Sequence, residues 1–155
     1  MSIPKNLINE YPELKEWCIL SGYRGSIAHG TYIPSNDPNS VDDKDAMYIC
    51  VPPIDYYYGL KTMGSQGTKE IKYNEWDIVV YEARKFLHLL SIGNPNVLML
   101  LWLEPNFYIN KTAAGQLIIT HRYLFVGKHV YKSFTGYAYG QLHRMTHHTF
   151  HGMGS

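Results

Sequence analysis

Apolar positions along this chain fall into short runs whose spacing alternates between helical and extended. Ile3, Leu7, Ile8, Tyr11 and Leu14 recur at helical intervals, which predicts one helix, or two short ones broken at Pro12, over residues 3–16. A continuous apolar run predicts a strand over residues 18–23, followed by a helix from Ser26 that Gly30 and Pro34 keep short. Residues 34–42 are a polar, turn-rich loop leading into a second strand through residues 46–51, and Tyr56-Tyr57-Tyr58 beyond it has the character of a short covering helix. After a Gly/Ser/Thr-containing loop at 59–67, residues 70–73 and 76–81 read as strands joined by a tight turn at Asn74-Glu75. Residues 82–90 have helical spacing and stop at Gly93, and Pro95 suits the first turn of a new helix over 97–101. Two further helices are expected over 112–120 and about 130–148. With no repeat and no linker, the pattern predicts one α/β (α+β) domain over residues 1–155: a small mixed sheet flanked by helices, with a core at about 17–103 and a C-terminal helical part at about 112–151.

Composition narrows the function classes. A hydrophobic fraction of 45% over 155 residues is enough for a substantial core and excludes a disordered chain. The net charge of +1 gives no broad cationic field, so any nucleic-acid contact would rest on a local basic rim. Cys18 and Cys50 both lie in apolar runs, as small buried hydrophobes do in a reducing compartment. No secretory or bilayer-length apolar segment is visible, which predicts a cytoplasmic protein with no membrane partner. The many tyrosines suit packing and base stacking equally.

The candidate chemistry sits in two segments. Gly22-Tyr23-Arg24-Gly25-Ser26-Ile27-Ala28-His29-Gly30-Thr31 places a Gly-Ser turn where a strand hands over to a helix, whose first N–H groups face an anion. Asp43-Lys44-Asp45 then enters the second strand, and the two-residue period of a strand puts both carboxylates on one side, where they can share a hard cation. Each segment alone is also ordinary punctuation: a capping serine, a solvated acidic turn. Their order and separation together point to a nucleotide site.

The chain resembles the DNA-polymerase-β-like nucleotidyltransferase superfamily, and most closely its stand-alone bacterial and phage members. The residues that carry the likeness are Gly25-Ser26-Ile27-Ala28-His29-Gly30, then Asp43-Lys44-Asp45 running to Val51-Pro52-Pro53, then Asp77, then Lys85-Phe86 with Gly93-Asn94-Pro95-Asn96-Val97-Leu98, over about residues 17 to 145. The resemblance implies a polymerase-β-like fold and a metal-dependent transfer of a nucleoside monophosphate from an NTP to an acceptor hydroxyl on a nucleic-acid end (RNA among them), a protein or a small molecule. It implies Mg²⁺ or Mn²⁺ on Asp43, Asp45 and Asp77, with Asp77 on the acceptor side. For nucleotide binding it points to Arg24, Gly25, Ser26, His29, Gly30, Thr31 and Lys85. Arg24 and Lys85 fit equally as solvated cations, and His29 as a turn residue bonded to backbone. Glu75, two residues before Asp77, competes for the third-carboxylate role, but the resemblance favours Asp77 and leaves Glu75 as a solvated edge residue.

Many relatives carry a Glu shortly after the Asn-Pro-Asn block, where this chain has Met99, and relatives tend to continue past a Met-Gly-Ser-like segment, whereas the sequence here ends at Met153-Gly154-Ser155. The corresponding expectation is a shortened form, and the alternative function is a catalytically weak nucleotide-binding or inhibitory interaction module. Lys61 and Lys69 either flank an anion or belong to a solvated loop. His143, His147 and His151, with His148 beside them, recur every four residues as a zinc or nickel site would, or as a polar helix face that meets a second copy or another protein.

Overall fold

The computed structural model describes residues 3–34, 37–38 and 43–151, and side chains as far as residue 145. Most of the 34–42 loop, the side chains of His147, His148 and His151, and the Met153-Gly154-Ser155 end lie outside the described residues. Among the described residues, a five-stranded mixed sheet is combined with seven α-helices in an α+β fold.

The first helical stretch is split as Pro12 dictates, into α1 (Lys5–Glu10) and a 3-10 turn (Pro12–Leu14). β1 (Cys18–Tyr23) leads into α2 (Gly25–Ala28), and β2 (Lys44–Cys50) into α3 (Asp55–Tyr58). β3 (Thr68–Tyr73) and β4 (Trp76–Glu82) form a hairpin whose turn residue Asn74 takes φ 51°, a left-handed conformation that Asn tolerates. In α4 (Ala83–Ser91), the Glu82 carboxylate caps the N–H groups of Arg84 and Lys85. α5 (Pro95–Leu98) opens on an Asn94 cap and Pro95, then tightens into a 3-10 turn (Met99–Trp102). β5 (Tyr108–Lys111), α6 (Ala113–Thr120), a 3-10 turn (Arg122–Phe125) and α7 (Lys128–His151) complete the chain.

The strands run in the order β3-β4-β2-β1-β5. The inner β2–β4 pair is parallel and the other pairs are antiparallel. β5, outside the expected 17–103 core, adds an edge strand that hydrophobic spacing did not predict. Side chains alternate between two layers. On one face Tyr48, Trp76, Ile78 and Val80 pack with Leu7 and Leu14, and on the other Met47, Ile49 and Val79 pack with Phe86, Leu90, Val97 and Leu101. The second face carries the candidate site, because Asp45 and Asp77, near the N-terminal ends of β2 and β4, turn to it.

Candidate active site

The acid cluster is made by the parallel strand pair. Asp45 and Asp77 are direct partners across β2 and β4, which sets their Cα atoms at the interstrand spacing of about 4.8 Å and turns both side chains to the face of Met47 and Val79. Asp43 stands exposed one residue ahead of β2. Burial raises the Asp45 carboxyl above its ordinary range, Arg24 pulls it back, and the charges of Asp77 and Asp43 push it further up. The charges of Asp77 and Asp43 therefore both reach Asp45.

The Gly-Ser turn packs directly onto Asp45. Beyond the end of β1, the Arg24 N–H donates to the Asp45 carbonyl at 3.1 Å, and its guanidinium Nη2 lies 3.4 Å from Asp45 Oδ1. Gly25 takes φ 59°, and a Cβ there would stand 2.4 Å from Asp45 Oδ2. Only glycine allows both that conformation and that approach. Gly25 and Ser26 occupy the first turn of α2, where N–H groups have no intrahelical acceptor. The turn is closed by the His29 N–H donating to the Gly25 carbonyl at 3.2 Å and the Thr31 N–H to the Ser26 carbonyl at 2.9 Å, with Gly30 at φ 70° between them.

These groups border a cleft of about 300 Å³. Tyr23, Arg24, Gly25, Ala28 and His29 form one wall, Asp45 and Met47 the floor, and Asn96, Met99, Leu100, Leu103 and Tyr137 the opposite wall. Gly22 in β1 lets that second wall close in, since a Cβ there would meet Leu103 Cδ1 at 2.5 Å. One end of the cleft is thus charged and the other apolar with a single amide. Asp77, the partner of Asp45 across the strands, does not itself line the cleft, and neither do Ser26, Gly30 and Thr31.

The donor set suits a hard divalent cation in kind: two carboxylates side by side and a third near them, all oxygen ligands. Among the described residues no three His, Cys, Asp or Glu side chains converge into a ready-made metal set. Arg24, on one Asp45 oxygen, is the positive charge the cluster has in this conformation.

One sequence expectation, Lys85 as a phosphate-binding cation, is not met at the site. Lys85 lies beyond the C-terminal end of β4, about 16 Å or more along the strand from Asp77 at some 3.3 Å per residue. There it lines a second groove with Lys61, Arg84, His88 and Glu82. Glu75 belongs to the hairpin turn and pairs with Lys44, whose side chain faces the layer opposite Asp45, so it does not compete with Asp77. Lys69 is bound to the buried Glu13 at 2.6 Å, away from Lys61, which pairs with Asp55. Conversely, Asn96 and Tyr137 enter the cleft without having been singled out as site residues. Asn96 had a signal, the Asn-Pro-Asn block, whereas nothing distinguished Tyr137 among the aromatics of α7.

A glycine turn pressed against one of two neighbouring aspartates on parallel strands accords with the resemblance, and comparison with known families gives the family. A model of the RNA repair pathway DNA polymerase beta family, RlaP, matches residues 17–151. The chain belongs to the RlaP family. The match covers every strand and both cleft walls, so its function is nucleotidyltransferase-like and a nucleotide is the substrate the family implies. No curated protein sequence matches the chain. Among the described residues, no helix of this RlaP-family protein is long and apolar enough to cross a membrane.

Proposed function

We propose that this RlaP-family protein moves a nucleoside monophosphate from a nucleoside triphosphate onto a hydroxyl at an RNA end. The observation that carries the reading is the Asp45–Asp77 pair, set side by side beneath a glycine turn that opens directly onto the cleft. RNA is favoured among the possible acceptors by the family's own description.

Asp43, Asp45 and Asp77 would hold Mg²⁺ or Mn²⁺, which supplies positive charge to the phosphates and acidity to the attacking hydroxyl. The chain's own residues do the rest. The free N–H groups of Gly25 and Ser26, with the Ser26 hydroxyl, cradle the phosphates, and Arg24 swings from Asp45 toward the charge that accumulates on their oxygens. His29 stands at the mouth of the same wall. Met99, Leu103 and Tyr137 give the base an apolar slot, and Asn96 offers a donor and an acceptor to its edge. Asp77 takes the proton of the acceptor hydroxyl as its oxygen bonds to the α-phosphorus; the α–β bridging P–O bond breaks and pyrophosphate leaves.

A second reading, a nucleotide-binding module without turnover, is favoured by the Arg24–Asp45 ion pair, which neutralises a carboxylate the reaction requires. One experiment separates the two. The protein is incubated with each α-labelled NTP, Mg²⁺ or Mn²⁺ and an unpaired RNA oligonucleotide, and in parallel with a cell extract. Label on the RNA that Asp45→Asn and Asp77→Asn both abolish supports transfer. Saturable NTP binding with no label on RNA, protein or metabolite supports the module.

A further inference from the structure

The apolar wall of the cleft carries on its outer side a patch that the transfer chemistry does not use. The 3-10 turn Met99–Trp102 sends Met99 and Leu100 into the cleft and leaves Trp102 at the surface, 38% exposed. Arg122 lies against that ring: its guanidinium is 5.2 Å from the Trp102 ring centre and 5.4 Å from that of Tyr123, and its Nη1 donates to the Leu101 carbonyl at 3.1 Å. The two rings meet edge to face at 6.0 Å. Next to them the Tyr108 hydroxyl donates to the Leu100 carbonyl at 2.8 Å, and Lys111 Nζ lies 4.9 Å from the Tyr108 ring centre. Arg122 is within electrostatic reach of Tyr108, whose phenol burial raises and Arg122 lowers.

Three features of this patch point to one kind of ligand. Aromatic rings alternate with cations, and Tyr123 is 69% exposed with its ring available. Among the ion pairs of the described residues, neither Lys111 nor Arg122 has a carboxylate partner. Hydrogen bonds to the Leu100 and Leu101 carbonyls tie the patch to the backbone of the cleft wall. An apolar protein partner would strip water from two cations and give nothing back. A duplex hides its base faces in its own stack. A single strand supplies free π-faces for the rings and phosphates for the cations, and the cleft beside it is where such a strand would end.

We propose that Trp102, Arg122 and Tyr123, with Tyr108 and Lys111 at their edge, form a stacking platform for the unpaired end of an RNA strand. The platform rests on the reading of RNA as acceptor, and it holds bases some nucleotides before the reacting end, because β2 and β1 separate it from Asp77.

The test uses the full chain and a fluorescein-labelled unpaired RNA 12-mer, with anisotropy read in the absence of NTP and metal and repeated across a salt series. The wild type binds. Tyr123→Ala and Trp102→Leu weaken binding by about five- to a hundred-fold, the range that one lost base stack accounts for. Lys111→Gln lowers the slope of log K against log salt by about 0.7, the share of one phosphate contact on a single strand. Equal melting temperatures establish that the variants are folded, and Tyr123→Phe, which keeps the ring, restores the affinity. Unchanged affinity in both ring variants, absence of RNA binding by the wild type, or equal competition by a duplex of the same length overturns the platform. Its failure is distinct from failure of the transfer reading. An RNA that binds through Tyr123 yet receives no label leaves the platform standing without the transferase, and label transfer that Tyr123→Ala does not weaken shows the reverse.

Discussion

Replacing Gly25 by alanine separates the energy of the fold from the geometry of the acids. Gly25 sits at φ 59°, where an L-residue with a Cβ costs about 1–2 kcal/mol. At roughly 2–4 °C per kcal/mol for a chain of this length, the melting temperature falls by about 2–8 °C. The new Cβ would lie 2.4 Å from Asp45 Oδ2, where ordinary contact begins near 3.4 Å, so the carboxylate must retreat by about 1 Å. Because that oxygen is the end of a rotatable side chain, the retreat adds little to the folding cost. It does move the group that faces Asp77 and Arg24, and a displacement of that size in a reacting constellation lowers turnover by about a hundred-fold. Gly67→Ala is the control: its φ of 79° imposes similar backbone strain, but its nearest neighbour is Lys85 Cβ at 3.2 Å, at the far end of the sheet. Calorimetric melting and transfer from an α-labelled NTP, measured well below both melting points, give the two numbers. Turnover by Gly25→Ala within two-fold of wild type, or an equal loss in Gly67→Ala, would refute the reasoning.

Asp45→Asn tests the electrostatic cluster. The Asp45 carboxyl holds its proton more tightly folded than unfolded, so wild-type stability declines as pH rises from its ordinary value of 3.8 through the raised one, and the variant escapes that decline. The variant's advantage in melting temperature should therefore be absent below pH 3.8, open as pH rises and then level off; an advantage that shrinks with rising pH contradicts it. Lys85→Ala should leave transfer within two-fold of wild type, because Lys85 stands at the opposite end of β4, and a ten-fold loss of kcat/KM would return it to the site. Thr112→Ala removes the cap that accepts the Gly115 N–H and the hydroxyl that donates to the Ile19 carbonyl at 2.9 Å. It should lower stability by about 1 kcal/mol with turnover unchanged, as denaturant titration and steady-state rates would report.

The acids and the glycine turn were legible in the sequence because their placement follows from short-range rules. A strand's period of two assigns Asp45 a face, and a Gly-Ser step between a strand and a helix implies an exposed first turn. What depends on chain direction and pairing was not legible. Lys85 follows Asp77 by eight positions, yet β4 carries the chain away from the acids before α4 begins. Glu75, by contrast, was legible as an outsider: the tight turn expected at Asn74-Glu75 forms, and the left-handed Asn74 sends Glu75 to Lys44 on the other layer. β5 escaped notice because Tyr-Ile-Asn-Lys is short, follows a proline-led 3-10 turn, and pairs only with β1 at the sheet edge. Tyr137 reaches the cleft through the packing of α7 on α5, a long-range contact that no local pattern encodes.

The central claim is that the polyphosphate and its cation are gripped at the Asp45–Asp77 end of the sheet. A crystal grown with Mn²⁺ and a non-hydrolysable nucleoside triphosphate, with the anomalous signal of the manganese recorded, tests it most directly. The account predicts manganese between the carboxylates of Asp45 and Asp77, with the phosphates against the N–H groups of Gly25 and Ser26. Phosphates lodged instead in the groove of Lys61, Arg84, Lys85 and His88, with no manganese at the aspartates, would contradict it.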